Sequence, residues 1–276
     1  MNSVNTNPGA MIALQNLNKT NSELQMVQNR INTGLKVANA KDDGGIYAIA
    51  QRMRADVASY GVVGNSLDRV ASTVDVTLAA GEAISDLLID MKEKALAASD
   101  ASLDGESRAA LNEDFTALRD QITTIVDNAE FNGVNLIDGS TDEIVALANA
   151  DGSNTLTVQA EVMGLGATGS VLTITGGTTI NTVTNASTAL AALETSLNDL
   201  NSALARLGTG SKSVEIQATF VGKLSDTLEG GIGNLVDADM AKESARLQSL
   251  QVKQQLGVQA LSIANSAPQT VLSFFS

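Results

Sequence analysis

Residues 186–232 read ASTALAALETSLNDLNSALARLGTGSKSVEIQATFVGKLSDTLEGGI. Within this stretch Ala186, Leu190, Leu193, Leu197, Leu200, Leu204, Leu207, Ser211, Val214, Ala218, Val221, Ser225, Leu228 and Ile232 recur at alternating spacings of four and three. A seam sustained over that length marks a coiled coil or helical bundle; the stripe of an ordinary surface helix is wider. Gly208 and Gly210 each cost about 1 kcal/mol against Ala in a helix interior. The heptad phase is unchanged beyond them, so a mild bend is expected there and no break. A second run of the same spacing passes from Val57 through Leu67, Val74 and Leu88 to Ala95, and a third from Leu111 through Phe115 and Ile122 to Ala129. At 1.5 Å per residue the two long runs reach roughly 60–70 Å. The expected fold class is therefore mainly α, a long antiparallel coiled-coil or bundle rod.

Composition narrows what such a rod can do. The 276 residues include no Cys, His or Trp, which leaves no Ser-His-Asp triad, thiol nucleophile, zinc finger or disulfide. Pro8 and Pro268 are the only prolines, so the interval between them lacks no backbone donor. The net charge of −14 is unevenly spread: residues 1–40 sum to +2, 41–140 to −10, 141–234 to −6 and 235–276 to zero. An acidic body repels phosphate and argues against nucleic acid. No window approaches a membrane-spanning apolar length, and residues 1–20 lack the pattern of a secretory signal peptide. No membrane insertion, cofactor or catalytic constellation is expected.

The near-neutral ends carry their own ladders. One runs through Ala10, Leu14, Leu17, Asn21, Leu24, Gln28, Ile31 and Leu35, the other through Met240, Ser244, Leu247, Gln251, Gln254, Val258 and Leu261. Leu250, Gly257 and Ala264 flank the second seam, and Phe274-Phe275 closes the chain. A terminal helix that is apolar on more than one side wants several partners, which one monomer does not supply. Polymerisation follows as the expectation. The amides on the seam, Asn21, Gln28, Gln251 and Gln254, read as register-setting polar positions, at some expense in stability.

Between the ladders lie turn signals. Asp42-Asp43-Gly44-Gly45 separates the first and second helices, Ser99 to Gly105 the second and third, and Asn132-Gly133 is a tight-turn dipeptide. Residues 139–185 are rich in Ser and Thr, with alternation from Thr155 to Val162 and β-branched runs at 171–175 and 179–184. They are expected to form a small β-hairpin-rich region leaning on the shaft. Acids at 138–143 and 151–155 lack the carboxylate ladder of a calcium loop and read as solvated.

Several motifs carry a family likeness. Ile12-Ala13-Leu14-Gln15-Asn16-Leu17, Arg30-Ile31-Asn32-Thr33-Gly34-Leu35, Ala40-Lys41-Asp42-Asp43, Phe131-Asn132-Gly133, Val236-Asp237-Ala238-Asp239 and Ala267-Pro268-Gln269-Thr270-Val271-Leu272 stand in this order. With them the chain resembles bacterial flagellins, and its short middle resembles the alphaproteobacterial type. The resemblance implies an extracellular filament subunit for swimming motility. Residues 1–40 with 235–276 would line the filament channel, 41–138 with 186–234 form the shaft, and 139–185 face outward. It implies subunit contacts through the terminal-helix residues named above, including Leu247, Leu250, Val258, Leu261, Phe274 and Phe275. Its partners would be further copies, other flagellins, the filament cap, the hook-junction proteins and the type III export apparatus. A hook–filament junction protein of the same helical architecture is the alternative. In many flagellins the stretch aligned with Leu88 to Lys94 presents an arginine, a glutamate and a leucine to the animal innate flagellin receptor. Here Glu93 is kept, while Asp90 and Lys94 stand in the other two places. Weak receptor stimulation is the expectation, and O-glycosylation of the Ser/Thr-rich middle a further one.

Overall fold

Each helix begins where a short oxygen-bearing side chain can accept from the free N–H groups of its first turn. Asn7 Oδ1 accepts from Ala10 N at 3.1 Å ahead of α1 (Pro8–Thr33). Asp43 Oδ1 accepts from the N–H groups of Gly45 and Ile46, both at 3.0 Å, at the head of α2 (Gly44–Ala98). Asp104 accepts from Glu106 and Ser107 ahead of α3 (Gly105–Asn128). Thr182 Oγ1 accepts from Asn185 N at 3.1 Å at the head of α4 (Val183–Val236), and Asp239 Oδ1 from Lys242 N at 3.1 Å at the head of α5 (Met240–Leu272). The bonds from Ser107 hold the Asp104 carboxyl below the usual carboxylate range. Its capping contribution is thus complete above the ordinary carboxyl value and is lost as pH falls through the lowered one. Gly34 ends α1 with φ +72°, and its N–H bonds to Arg30 O at 2.8 Å.

This computed structural model describes residues 6–272, which fall into two units. One comprises 56–226, the other the described parts of 1–55 and 227–276.

In the 56–226 unit the three shaft ladders supply one continuous core. Leu67, Val74, Leu88 and Met91 of α2, Phe115 and Ile122 of α3, and Leu193, Leu200, Leu207 and Val214 of α4 are all buried in it. Arg108 closes the α2–α3 turn by donating to the carbonyls of Ala98, Asp100 and Leu103 at 2.9–3.0 Å. After α3 come two hairpins. β1 (Glu130–Phe131) pairs antiparallel with β2 (Val134–Asn135), and β3 (Glu143–Leu147) pairs antiparallel with β4 (Thr155–Gln159), with Ala146 opposite Leu156. Asn132 and Gly133 join β1 to β2 with φ +52° and +80°, the left-handed pair a two-residue hairpin turn requires.

The β-branched runs expected as strands at 171–175 and 179–184 form no ladder. Leu172, Ile174 and Ile180 are buried against the shaft, while their backbone donors are taken one by one. Thr173 N donates to Ser196 Oγ at 2.8 Å and Ile180 N to Asn112 Oδ1 at 2.7 Å, both helix side chains. Val171 N donates to Val162 O, Leu172 N to Ser170 Oγ and Thr175 N to Thr178 Oγ1. A backbone satisfied in this way has no need of a neighbouring strand. Arg206 of α4 holds the chain just after β4 through a bidentate pair with Glu161 at 2.5 and 2.6 Å.

In the other unit the two connectors are zipped together. Leu35 bridges Asp237 antiparallel, Lys36 N bonds Val236 O at 2.6 Å, and Ala238 N bonds Gly34 O at 2.8 Å. Val37, Ala50 and Val236 bury themselves beneath this bridge. α1 and α5 pair along their lengths.

α4 runs through both glycines named above, but they differ in surroundings. A Cβ at Gly208 would meet nothing within 4 Å, whereas one at Gly210 would stand 2.9 Å from Val158 Cγ1 of β4. Gly208→Ala should stabilise the monomer by up to about 1 kcal/mol through helix propensity. Gly210→Ala should forfeit that gain, overpacking the hairpin by about 1–3 kcal/mol. Urea unfolding of the two variants side by side checks the difference.

Candidate assembly surface on the paired terminal helices

The seam between α1 and α5 is built from fewer apolar groups than the helix lengths suggest. Leu24, Val27 and Leu250 are buried, with Ile31 and Leu247 packed half-buried beside them. On α5 the inward positions are Glu243, Leu247, Leu250, Gln254, Gly257, Leu261 and Ala264. On α1 they are Ala10, Ala13, Leu17, Asn21, Leu24, Val27 and Ile31. On α5 every second rung is therefore one position away from the ladder read in the sequence, and on α1 the rungs at Leu14 and Gln28 are. Leu14, Gln28, Gln251 and Val258 are exposed, and Leu250, Gly257 and Ala264, placed beside the seam, form it. At Gly257 α1 packs close: a Cβ there would lie 3.2 Å from Leu17 Cδ1. Leu35 lies beyond α1, in the connector bridge. Phe274 and Phe275 lie outside the described residues.

Three polar links set the pairing. Asn7 Nδ2, whose partner oxygen caps α1, donates to Ala264 O at 2.7 Å. Gln254 Nε2 donates to Asn21 Oδ1 at 2.8 Å. Arg30 Nη1 donates to Glu243 Oε1 at 3.1 Å, and Glu243 is 7% exposed with its Oε2 unpartnered. Two of the four seam amides thus meet each other, while Gln28 and Gln251 face outward.

What the seam leaves out is apolar. Met11, Ile12, Leu14 and Met26 on α1 are exposed, as are Val252, Leu256, Val258 and Ile263 on α5, the last at 69%. Both helices carry an outer apolar face in addition to the inner one, and this is why spacing alone did not choose the rungs.

The turn residues sit as turn residues. Asp42 Oδ2 accepts from Ala38 N at 3.1 Å and Asn39 N at 3.2 Å, and Asp43 caps α2. On α2, Asp90 and Glu93 are exposed, and Lys94 is held by Asp114 of α3 at 3.1 Å. Sequence reasoning passed over Ile216 and Phe220, which stand exposed on α4 outside its seam. Their signal was present: two large apolar residues four apart between Lys212 and Lys223, in an acidic body. Among the described residues no group of three or more acids is placed to hold a metal ion, and no helix is long and apolar enough to cross a membrane.

The bacterial flagellin N-terminal helical region matches residues 4–142, and the C-terminal helical region matches residues 190–275. The chain belongs to the bacterial flagellin family. Flagellin FljK of Caulobacter vibrioides is 56% identical over 275 residues, covering 100% of this chain and 99% of its own. The flagellin of Brucella melitensis biotype 1 is 37% identical over 282 residues, with 100% and 99% covered. This is an alphaproteobacterial-type flagellin, a structural subunit that polymerises into the flagellar filament. A putative flagellar hook-associated protein from Vibrio parahaemolyticus shares the fold, with a TM-score of 0.59 over 71% of this chain and 100% of that one. At 12% identity that likeness is one of architecture, and nothing in these findings favours the junction-protein alternative.

The amide pair can be separated from the apolar seam. Asn21→Leu or Gln254→Leu alone should weaken the pairing by about 1–3 kcal/mol, because the remaining amide is left unsatisfied. The double variant should recover most of that loss, giving a coupling energy readable from a double-mutant cycle on α1–α5 melting.

Proposed function

We propose that the α1–α5 pair is the polymerising element of this flagellin, innermost in the filament, with the shaft around it and residues 139–185 outward. The observation that carries this reading is the imbalance between helix length and burial. α1 has 26 residues and α5 has 33, yet among the described residues three apolar side chains of the pair are buried against each other. Full burial of three such side chains is worth about 5–9 kcal/mol. Ordering a residue costs on the order of 1–2 kcal/mol in backbone entropy, and isolated helices of this length are marginal in water. The pair therefore gains most of its stability from neighbours, which bury the outer apolar faces. Assembly and ordering of the ends become one event, and monomers wait for a growing tip.

Export through the flagellar secretion apparatus, growth beneath a cap and attachment through hook-junction proteins are the partner set that this reading implies, with the filament outside the cell. The residues proposed at subunit contacts are Leu14, Gln28, Val258 and the neighbouring exposed apolar positions, together with the terminal Phe274 and Phe275.

Leu256→Asp and Ile263→Asp fall on the outer face, so each should leave urea unfolding of the 56–226 unit unchanged while abolishing seeded polymerisation. Negative-stain imaging and sedimentation read the second effect. Filaments of normal length and yield from either variant overturn the proposal.

A receptor reading follows from α2. Asp90 reverses the charge expected at its position, and the Asp114 ion pair ties down Lys94 where an apolar anchor is expected. Purified monomer should signal weakly in a reporter assay of the animal flagellin receptor. Asp90→Arg with Lys94→Leu should raise the response by at least about tenfold.

A further inference from the structure

The readily oxidised side chains of this protein come down to one kind. It has no Cys, His or Trp, but it has seven methionines. Met1 lies outside the described residues. Of the other six, Met91 and Met163 are 0% exposed in the core of the 56–226 unit, and Met53 is half-buried. The exposed three, Met11 at 68%, Met26 at 45% and Met240 at 43%, all belong to the terminal unit. Among the described residues, a small oxidant therefore meets its open thioethers on that unit alone. Two of the three share a face. Fifteen positions separate Met11 from Met26, which places them about 60° apart around α1 and about 22 Å apart along it. Both lie on the side opposite the Leu17, Leu24 and Ile31 seam, where Ile12 and Leu14 are also exposed. Met26 lines a cleft of about 530 Å³ with Ser22, Gln25, Asn29 and Arg30, ample room for a peroxide.

The chemistry at such a sulfur is simple. Its lone pair attacks one oxygen of hydrogen peroxide, and the S–O bond forms as the O–O bond breaks. The proton of the transferred oxygen leaves with the departing hydroxide as water. Sulfur is oxidised by two electrons and the peroxide is reduced by two. The product is a sulfoxide, a dipolar acceptor where an apolar surface stood. In the free subunit water solvates it at little cost. Buried against a neighbour's apolar face, it lacks a donor and carries the penalty of an unpaired polar group. A dithiol acting through a sulfoxide reductase reverses the step: the oxygen leaves as water and the dithiol becomes a disulfide.

We propose that Met11 and Met26 are an oxidation site that gates assembly: hydrogen peroxide converts them to sulfoxides in the free subunit, and the polymer refuses the modified subunit until the oxygen is removed. This rests on the reading of the outer α1–α5 face as the polymerising surface and adds to it a reversible chemical control.

The test treats monomer with hydrogen peroxide, removes the oxidant, and follows peptide-mapping mass spectrometry beside seeded polymerisation. Met11 and Met26 should carry sulfoxide while Met91 and Met163 do not, and the critical concentration should rise at least about tenfold. Treatment with the two stereospecific sulfoxide reductases and a dithiol should restore it, which a denatured subunit could not show. Met11→Leu with Met26→Leu, a swap close in volume, should polymerise like the parent. It should keep doing so after peroxide, although Met1 and Met240 remain to be oxidised. In preformed filaments the sulfurs of Met11 and Met26 should react at least about tenfold more slowly than in monomer. Three results overturn the gate: doubly oxidised subunits polymerising at the parent concentration, a leucine variant as peroxide-sensitive as the parent, or equal oxidation rates in monomer and filament. The outer-face reading still stands if Leu256→Asp abolishes polymerisation. Filaments of normal yield from Leu256→Asp overturn that reading, and the gate with it.

Discussion

The pairing of the chain's two ends is the constraint on which the terminal unit depends. Arg30 and Glu243 are separated by 213 positions and stand 3.1 Å apart. Closing a free loop of that length costs about 5 kcal/mol of chain entropy, which three buried apolar side chains barely offset. The 56–226 unit changes that balance. Its core draws on α2, α3 and α4 and is far larger than the two clusters of the terminal unit. Once it is folded, most of the intervening chain is no longer free. The connector bridge between Leu35 and Asp237 then delivers α1 and α5 to each other at one end. The terminal pair is thus contingent on the shaft, and a subunit with a folded shaft and weakly held ends is the expected form before assembly.

Register in a seam this poor in apolar contact comes from its polar members. A shift of α5 by one heptad would set Asn21 opposite Leu247 or Leu261 and Arg30 opposite Leu250 or Val236, leaving the half-buried Asn21 oxygen without its donor and the Arg30 guanidinium without its carboxylate. Each such loss is worth about 1–3 kcal/mol. The Glu243 oxygen that already lacks a partner shows that the native arrangement is itself not fully relieved. Buried ionic groups are weak contributors to stability and better suited to choosing among alternatives. Here the alternatives are neighbouring registers of two long helices, each apolar on two sides.

That two-sidedness decides what spacing could reveal. In α2, α3 and α4 the four-three ladders coincide with the buried positions: Leu67, Val74, Leu88, Phe115, Ile122, Leu193, Leu200, Leu207 and Val214 are all core. One continuous inner face and neighbours that bury it make the pattern unambiguous. In α1 and α5 the rungs Leu17, Leu24, Ile31, Leu247, Gln254 and Leu261 are shared by two equally good ladders. The sequence therefore spelled out both seams at once, the one inside the chain and the one turned outward. The β-branched runs at 171–175 and 179–184 form no strands for a different reason: such residues make a ladder only when the backbone lacks other partners, and Ser196, Asn112, the Val162 carbonyl and local Ser and Thr hydroxyls supply them. Ile216 and Phe220 escaped notice because two exposed apolar residues are ordinary on any surface.

The same division explains why an acidic chain can both stay apart and assemble. Self-repulsion of two bodies carrying most of a −14 charge opposes contact at long range and is screened within about 8–10 Å at physiological ionic strength. Attraction at short range is left to the places where charge is sparse, the apolar outer faces of α1 and α5. An encounter in the wrong orientation brings acid against acid and separates. One that brings the apolar outer faces of α1 and α5 against those of another copy meets little charge and persists. Charge on the body and apolar surface on the ends thus divide the work of one chain: the first rejects wrong encounters and the second holds right ones.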